Sequence, residues 1–142
     1  MTVEEQQKLL QSQHLRAMRY FDNAKKVLSN SSIEGFFYQD EKYVSSACGI
    51  AYKGVLVALD CWLTLKEVEF PKENKKRKSI HFYRDNLQKH NKKMVDYLNT
   101  VYNQLHLSGY YEGETDSRII KIGFSNAKEL IDLIKPSAGE AL

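Results

Sequence analysis

The sequence is poor in residues that break helices and in residues that staple small folds. Its 142 residues include two prolines, seven glycines and two cysteines. Few prolines and glycines, with little alternation of polar and apolar positions, argue against a sheet protein and for long helices. Cys48 and Cys61 stand thirteen positions apart on one predicted helix. At about 1.5 Å per residue they are about 20 Å apart, too far for a disulfide. No run of about 18 apolar residues is present, because Lys53 and Asp60 interrupt the greasiest stretch. No membrane span or membrane partner is therefore predicted. The opening MTVEEQQKLL is acidic and polar, without the basic start and apolar centre of a signal peptide. Free thiols and no export signal predict a cytoplasmic protein.

Several chemistries are missing as well. There is no Gly-rich phosphate loop, no Gly-x-Ser-x-Gly elbow and no Cys-x-x-Cys pair. Carboxylate-bridged metal bundles place Glu-x-x-His on two helices. None of the eleven Glu is followed three places on by His. Neither a metal nor a cofactor is expected.

What is present is helical pattern. A chain of this length suits one domain with its own core. Residues 1–135 are predicted to form it and 136–142 a flexible tail. The chain is organised around 43–65, YVSSACGIAYKGVLVALDCWLTL. A helix apolar on most sides must be surrounded by other helices, and its Ser, Ala and Gly positions let them come close.

The other segments supply those neighbours. Thr2 and Glu5 form a capping-box pattern that starts a first helix. Its apolar positions Leu10, Ala17, Phe21, Ala24 and Leu28, with His14 in register, share one face. The connection 31–39 carries Phe36, Phe37 and Tyr38 and is expected to fold back onto the helices, with room for a short extra helix. A third helix is predicted over 79–107, ended by Ser108-Gly109, with Tyr110 and Tyr111 packed inward beyond it. A fourth begins near Thr115 or Asp116 and stops at Pro136. Four such helices with short turns predict an all-α, antiparallel up-and-down four-helix bundle. Trp62, Leu59, Phe21, Leu98, Phe124 and Leu130 are its predicted core.

Three groups of residues are candidates for function. Asp60, amid Val57, Leu59, Trp62 and Leu63, must be paired or turned to a wet edge, and a tyrosine or arginine of a neighbouring helix is its expected partner. Together with Tyr43 and Tyr52 it would line a ligand pocket; the plainer reading is a structural hydrogen bond. Lys75, Lys76, Arg77, Lys78, Lys89, Lys92 and Lys93 form a candidate nucleic-acid patch in a segment, 72–93, whose net charge is +7 while the rest of the chain is −4. The plainer reading there is a solvated surface. Arg84 and His90 pair a guanidinium with an imidazole, which can work together on RNA, the imidazole in acid–base transfer and the guanidinium on a phosphorane-like transition state. Six residues apart on one helix, they point about 120° apart around the axis.

A family resemblance rests on these landmarks. Ala51-Tyr52 followed by Ala58-Leu59-Asp60 resembles the second helix of HEPN domains. Tyr20-Phe21-x-x-Ala24-Lys25-x-x-Leu28 is similar to their first helix. Gly109-Tyr110-Tyr111 and Phe124-x-x-Ala127-x-x-Leu130-Ile131 are similar to their last turn and helix. A small group of uncharacterised bacterial helical-bundle proteins shows the same order. Active HEPN ribonucleases carry an arginine and, a few residues on, a histidine, usually before the final helices. Arg84 to His90 has that spacing. At the family's usual place, however, this chain reads Leu105-His106-Leu107-Ser108-Gly109, with no arginine. The resemblance thus implies a HEPN-like, non-catalytic interaction module, homodimeric and binding a protein or nucleotide partner, of nucleotidyltransferase or toxin–antitoxin type. The alternative it implies is an RNA-binding or metal-independent ribonuclease domain using Arg84 and His90.

Overall fold

A computed structural model describes residues 1–71 and 79–136. The first helix, α1 (Val3–Leu28), opens with the Thr2–Glu5 capping box, in which each residue's side chain accepts from the other's backbone N–H. A hairpin follows, β1 (Ile33–Glu34) and β2 (Phe37–Tyr38), paired antiparallel as Ile33 with Tyr38 and Glu34 with Phe37. The central helix α2 (Glu41–Leu65) leads to α3 (Ile80–His90), α4 (Lys92–Val101), a π-helix (Tyr102–Tyr111), α5 (Ser117–Ile131) and a 3-10 turn (Asp132–Ile134). Among the described residues the fold is all-α: five α-helices and the π-helix, with a two-strand ribbon.

The central position of α2 follows from its composition. Twelve of its residues are buried, and α1, α3, the π-helix and α5 all pack on it. Among the described residues it is the one helix with the length and apolar character to cross a bilayer. Here that apolar surface faces other helices. All six predicted core residues are buried, Leu98 and Leu130 completely. At the far end, His14 Nε2 lies 3.3 Å from Asp132 Oδ1 and Lys128 Nζ 2.7 Å from Asp132 Oδ2, which ties α1 to the end of α5.

Three expectations about the connections need correction. The segment 31–39 holds a hairpin rather than a helix, because Gly35 adopts a left-handed φ of +62° that reverses the chain. The ribbon is pinned to the start of α5 by Tyr38 N–H donating to Thr115 O and Ser117 N–H to Phe36 O. Tyr38 is buried, but Phe36 and Phe37 are exposed. Next, the predicted third helix is broken at Asn91, whose φ of −153° and ψ of 86° lie outside the helical region. Asparagine is a weak helix former, and Lys89, Lys92 and Lys93 crowd like charges at three- and four-residue spacing on both sides of it. Finally, Ser108-Gly109 does not end the helix. The π-helix runs through it, and Tyr110 and Tyr111 are exposed, 47 % and 68 %.

Candidate functional site: an aromatic groove on the π-helix

Two α2 positions and one on the π-helix bring these elements unusually close. A Cβ at Gly49 would come within 2.9 Å of the Tyr110 ring, and one at Gly109 within 2.9 Å of Cys48 Cβ. Ser45 Oγ donates to Tyr110 O at 2.9 Å across the same seam. Gly109 is therefore a close-packing residue rather than a turn former. A π-helix bonds i to i+5 and is wider than an α-helix, so residues four and five apart align along it. Tyr102, His106, Tyr110 and Tyr111 occupy such positions.

These rings form one cluster with Tyr52 of α2. His106 stacks on Tyr52 with ring centres 4.5 Å apart and planes 23° from parallel. It also stacks on Tyr102 at 5.2 Å and on Tyr110 at 6.3 Å, and meets the edge of Tyr111 at 5.0 Å. A groove of about 630 Å³ opens beside this stack, walled by Tyr20, Ile50, Tyr52, Leu56, His106 and Tyr110, with Lys53 at its rim. Tyr52, Leu56 and His106 also wall a second cavity of about 530 Å³, bounded by Ile80, Tyr83 and Tyr102. Volumes of this size suit small ligands.

The charge pattern is one of neutral rings beside a single fixed cation. Burial pushes the His106 imidazole below its ordinary pKa, so it is neutral at pH 7. Burial, with Tyr102 alongside, pushes the Tyr52 phenol up to about 12, while Arg84 pulls against that rise. Arg84 lies over Tyr102, 5.4 Å from its ring centre, and donates from Nε to Asn99 Oδ1 at 2.6 Å. Asn99 and Tyr102 thus hold the guanidinium in place. Its terminal nitrogens make no hydrogen bond among the described residues and are left to an acceptor from outside.

Asp60 accepts from Tyr83 Oη at 2.7 Å, a tyrosine partner on a neighbouring helix. Burial and that hydrogen bond raise the Tyr83 pKa. Tyr52 lies in the ring cluster and Tyr83 walls the second cavity, whereas Tyr43 is elsewhere, with Lys42 Nζ 5.0 Å from its ring centre. Arg84 and His90 are not brought together. Arg84 turns to Asn99 and Tyr102, while the exposed His90 meets the edge of Trp62 at 5.7 Å. Lys89, Lys92 and Lys93 are exposed around Asn91; residues 75–78 lie outside the described residues. Cys48 and Cys61 are free and buried, and burial pushes their thiols up to about 12 and about 11. Neither is a ready nucleophile.

His106 is the residue that reading the sequence for motifs missed. Its signal was present as aromatic residues at 102, 106 and 110, a four-residue spacing in a segment otherwise read as ordinary helix.

The fold and the groove define an all-α protein built to hold a cleft of stacked rings between its central helix and a π-helix. The chain belongs to the domain of unknown function family DUF5618, which matches residues 12–136. It is also similar to a solved protein of unknown function from Dyadobacter fermentans, at 36 % identity and a TM-score of 0.75, over 88 % of this chain and 94 % of that one. No curated protein matches the chain.

Proposed function

We propose that this protein is a non-catalytic binding module that takes a nucleotide in the aromatic groove. The observation that carries the reading is the Tyr52–His106 stack at 4.5 Å, continued by Tyr102 and Tyr110 beside a concave apolar wall. A base would extend this stack, at about 1–3 kcal/mol per stacked ring. Lys53 at the rim supplies a cation for a phosphate, while Arg84 lies over Tyr102, outside the residues that wall the groove. Among the described residues no nucleophile–base pair accompanies the rings, which favours binding over turnover. If α3, α4 and the π-helix count as one broken arm, the helix order is that of a four-helix bundle, and this supports the HEPN-like reading.

The test is calorimetric titration with adenosine 5′-monophosphate, beside adenosine and ribose 5-phosphate. Saturable binding of the nucleotide is expected, weaker binding of the nucleoside, and none of the sugar phosphate. Tyr52→Leu and His106→Leu should each weaken it at least about tenfold. Equal binding of the sugar phosphate, or indifference to both variants, would overturn the reading.

The second reading is RNA binding, favoured by the exposed Lys89, Lys92 and Lys93. Affinity for a structured RNA would then fall steeply with salt. Cleavage lost in both Arg84→Ala and His90→Ala would make the protein a ribonuclease. A homodimer belongs to the proposal too, supported by the exposed Phe36, Phe37 and Ile122; light scattering on the purified protein tests it.

A further inference from the structure

A further concavity, of about 480 Å³, lies between α1, β2 and α5 and shares no residue with the aromatic groove. Its floor is apolar. Phe21 and Phe124 meet there with ring centres 5.8 Å apart, and Tyr38 lies beside them. Tyr38 is only 7 % exposed, yet its hydroxyl makes no hydrogen bond among the described residues. No fully buried polar side-chain atom there lacks a partner, so this hydroxyl reaches open space, and the space its ring borders is this groove. Burial raises the phenol's pKa, with Cys48 adding to the rise, so it stays a proton donor throughout the neutral range.

The rim is cationic. Lys25 and Lys121 are exposed, and neither meets a carboxylate among the described residues. Lys25 Nζ hangs 5.9 Å from the Phe21 ring centre, above the floor. Lys128 is already neutralised by Asp132 at 2.7 Å. Glu129 opposes the two free lysines, which leaves a single uncompensated positive charge over an apolar floor.

We propose that this groove binds a small carboxylate with an apolar body, of the acyl or aryl acid class. The acid group sits between Lys25 and Lys121 and accepts the Tyr38 hydroxyl proton in a hydrogen bond. The hydrocarbon covers Phe21 and Phe124. An apolar pocket with a few convergent polar groups is the usual form of such a site. A single anionic charge matches the rim, whereas a neutral ligand can accept from the hydroxyl but leaves the lysines without a gain.

The experiment is calorimetric titration of the full chain with octanoate, hexanoate, acetate and 1-octanol. Octanoate is expected to bind with one site, weakening about fourfold for each methylene removed. Acetate and octanol should bind far more weakly. Lys25→Gln and Lys121→Gln should each cost about two- to fivefold, and Tyr38→Phe, which keeps the ring, about tenfold. Glu129→Gln should tighten binding, a sign that a merely structural role for these side chains does not produce. Octanol binding as well as octanoate, no saturation by octanoate, or indifference to Tyr38→Phe would each overturn the proposal. Loss of octanoate in Tyr52→Leu instead would assign the acid to the aromatic groove and overturn it equally. The nucleotide titration stands or falls separately.

Discussion

The imidazole of His106 lies nearly flat on the phenol of Tyr52, 4.5 Å away, and burial keeps it uncharged. Protonation would place a cation in a desolvated stack. A pKa lowered in the folded state means that the unfolded chain binds the proton more readily. Stability from this site is therefore present above the ordinary histidine value of 6.5 and is lost as pH falls through the lower folded value. Denaturant midpoints measured from pH 7.5 down to 5 should fall, and His106→Phe should flatten that fall.

The seam between Gly109 and Cys48 leaves no space for a methyl group. Gly109→Ala is expected to lose about 1–3 kcal/mol through overpacking. Cys48→Ala removes the sulfur from the seam, so the double variant should be more stable than the sum of the two losses predicts. Additive losses would show that the helices can part freely.

Tyr83→Phe removes the hydroxyl that Asp60 accepts. Removing one partner from a part-buried pair costs about 1–3 kcal/mol. A double-mutant cycle with Asp60→Asn should show a coupling between the two. No coupling would mean that the contact carries no energy.

Trp62 is 9 % exposed near the C-terminal end of α2's buried face. Trp62→Ala should cost about 3–5 kcal/mol in urea unfolding. A loss below about 1 kcal/mol would mean that its cavity collapses almost fully.

The helix cores were legible because apolar spacing and burial are the same physical fact. Ala17, Phe21 and Ala24 on the first helix, and Phe124, Ala127 and Leu130 on the last, are buried as their spacing implied. The Thr2 and Asp116 caps were legible because capping depends on side chains a few residues away. What escaped depends on partners distant in sequence. Gly109 reads as a turn residue until Cys48, 61 residues earlier, is seen pressing on it. Tyr110 and Tyr111 read as core until the π-helix turns them outward. Arg84 and His90 have a suggestive spacing, but Asn99 and Tyr102 claim the first and Trp62 meets the second. Tyr52 and Asp60 stand out in the sequence as polar tips on an apolar helix; that His106 would lie on one of them was not visible in either segment.

The π-helix also makes this protein unusually forgiving of one kind of sequence change and unforgiving in another respect. Deleting a residue from an α-helix ordinarily strands a hydrogen bond. Within Tyr102–Tyr111 a deletion lets the i to i+5 ladder close as i to i+4, and the backbone keeps its bonds. Every ring beyond the deletion, though, swings about 100° around the axis. Loss of Asn103, for example, would carry His106 and Tyr110 off the face of Tyr52, and would swing Leu105 and Gly109 out of their packing against the core with them. Chain length in this one stretch therefore aims the groove and the core face together, and shortening it by one residue should cost stability as well as the ring stack.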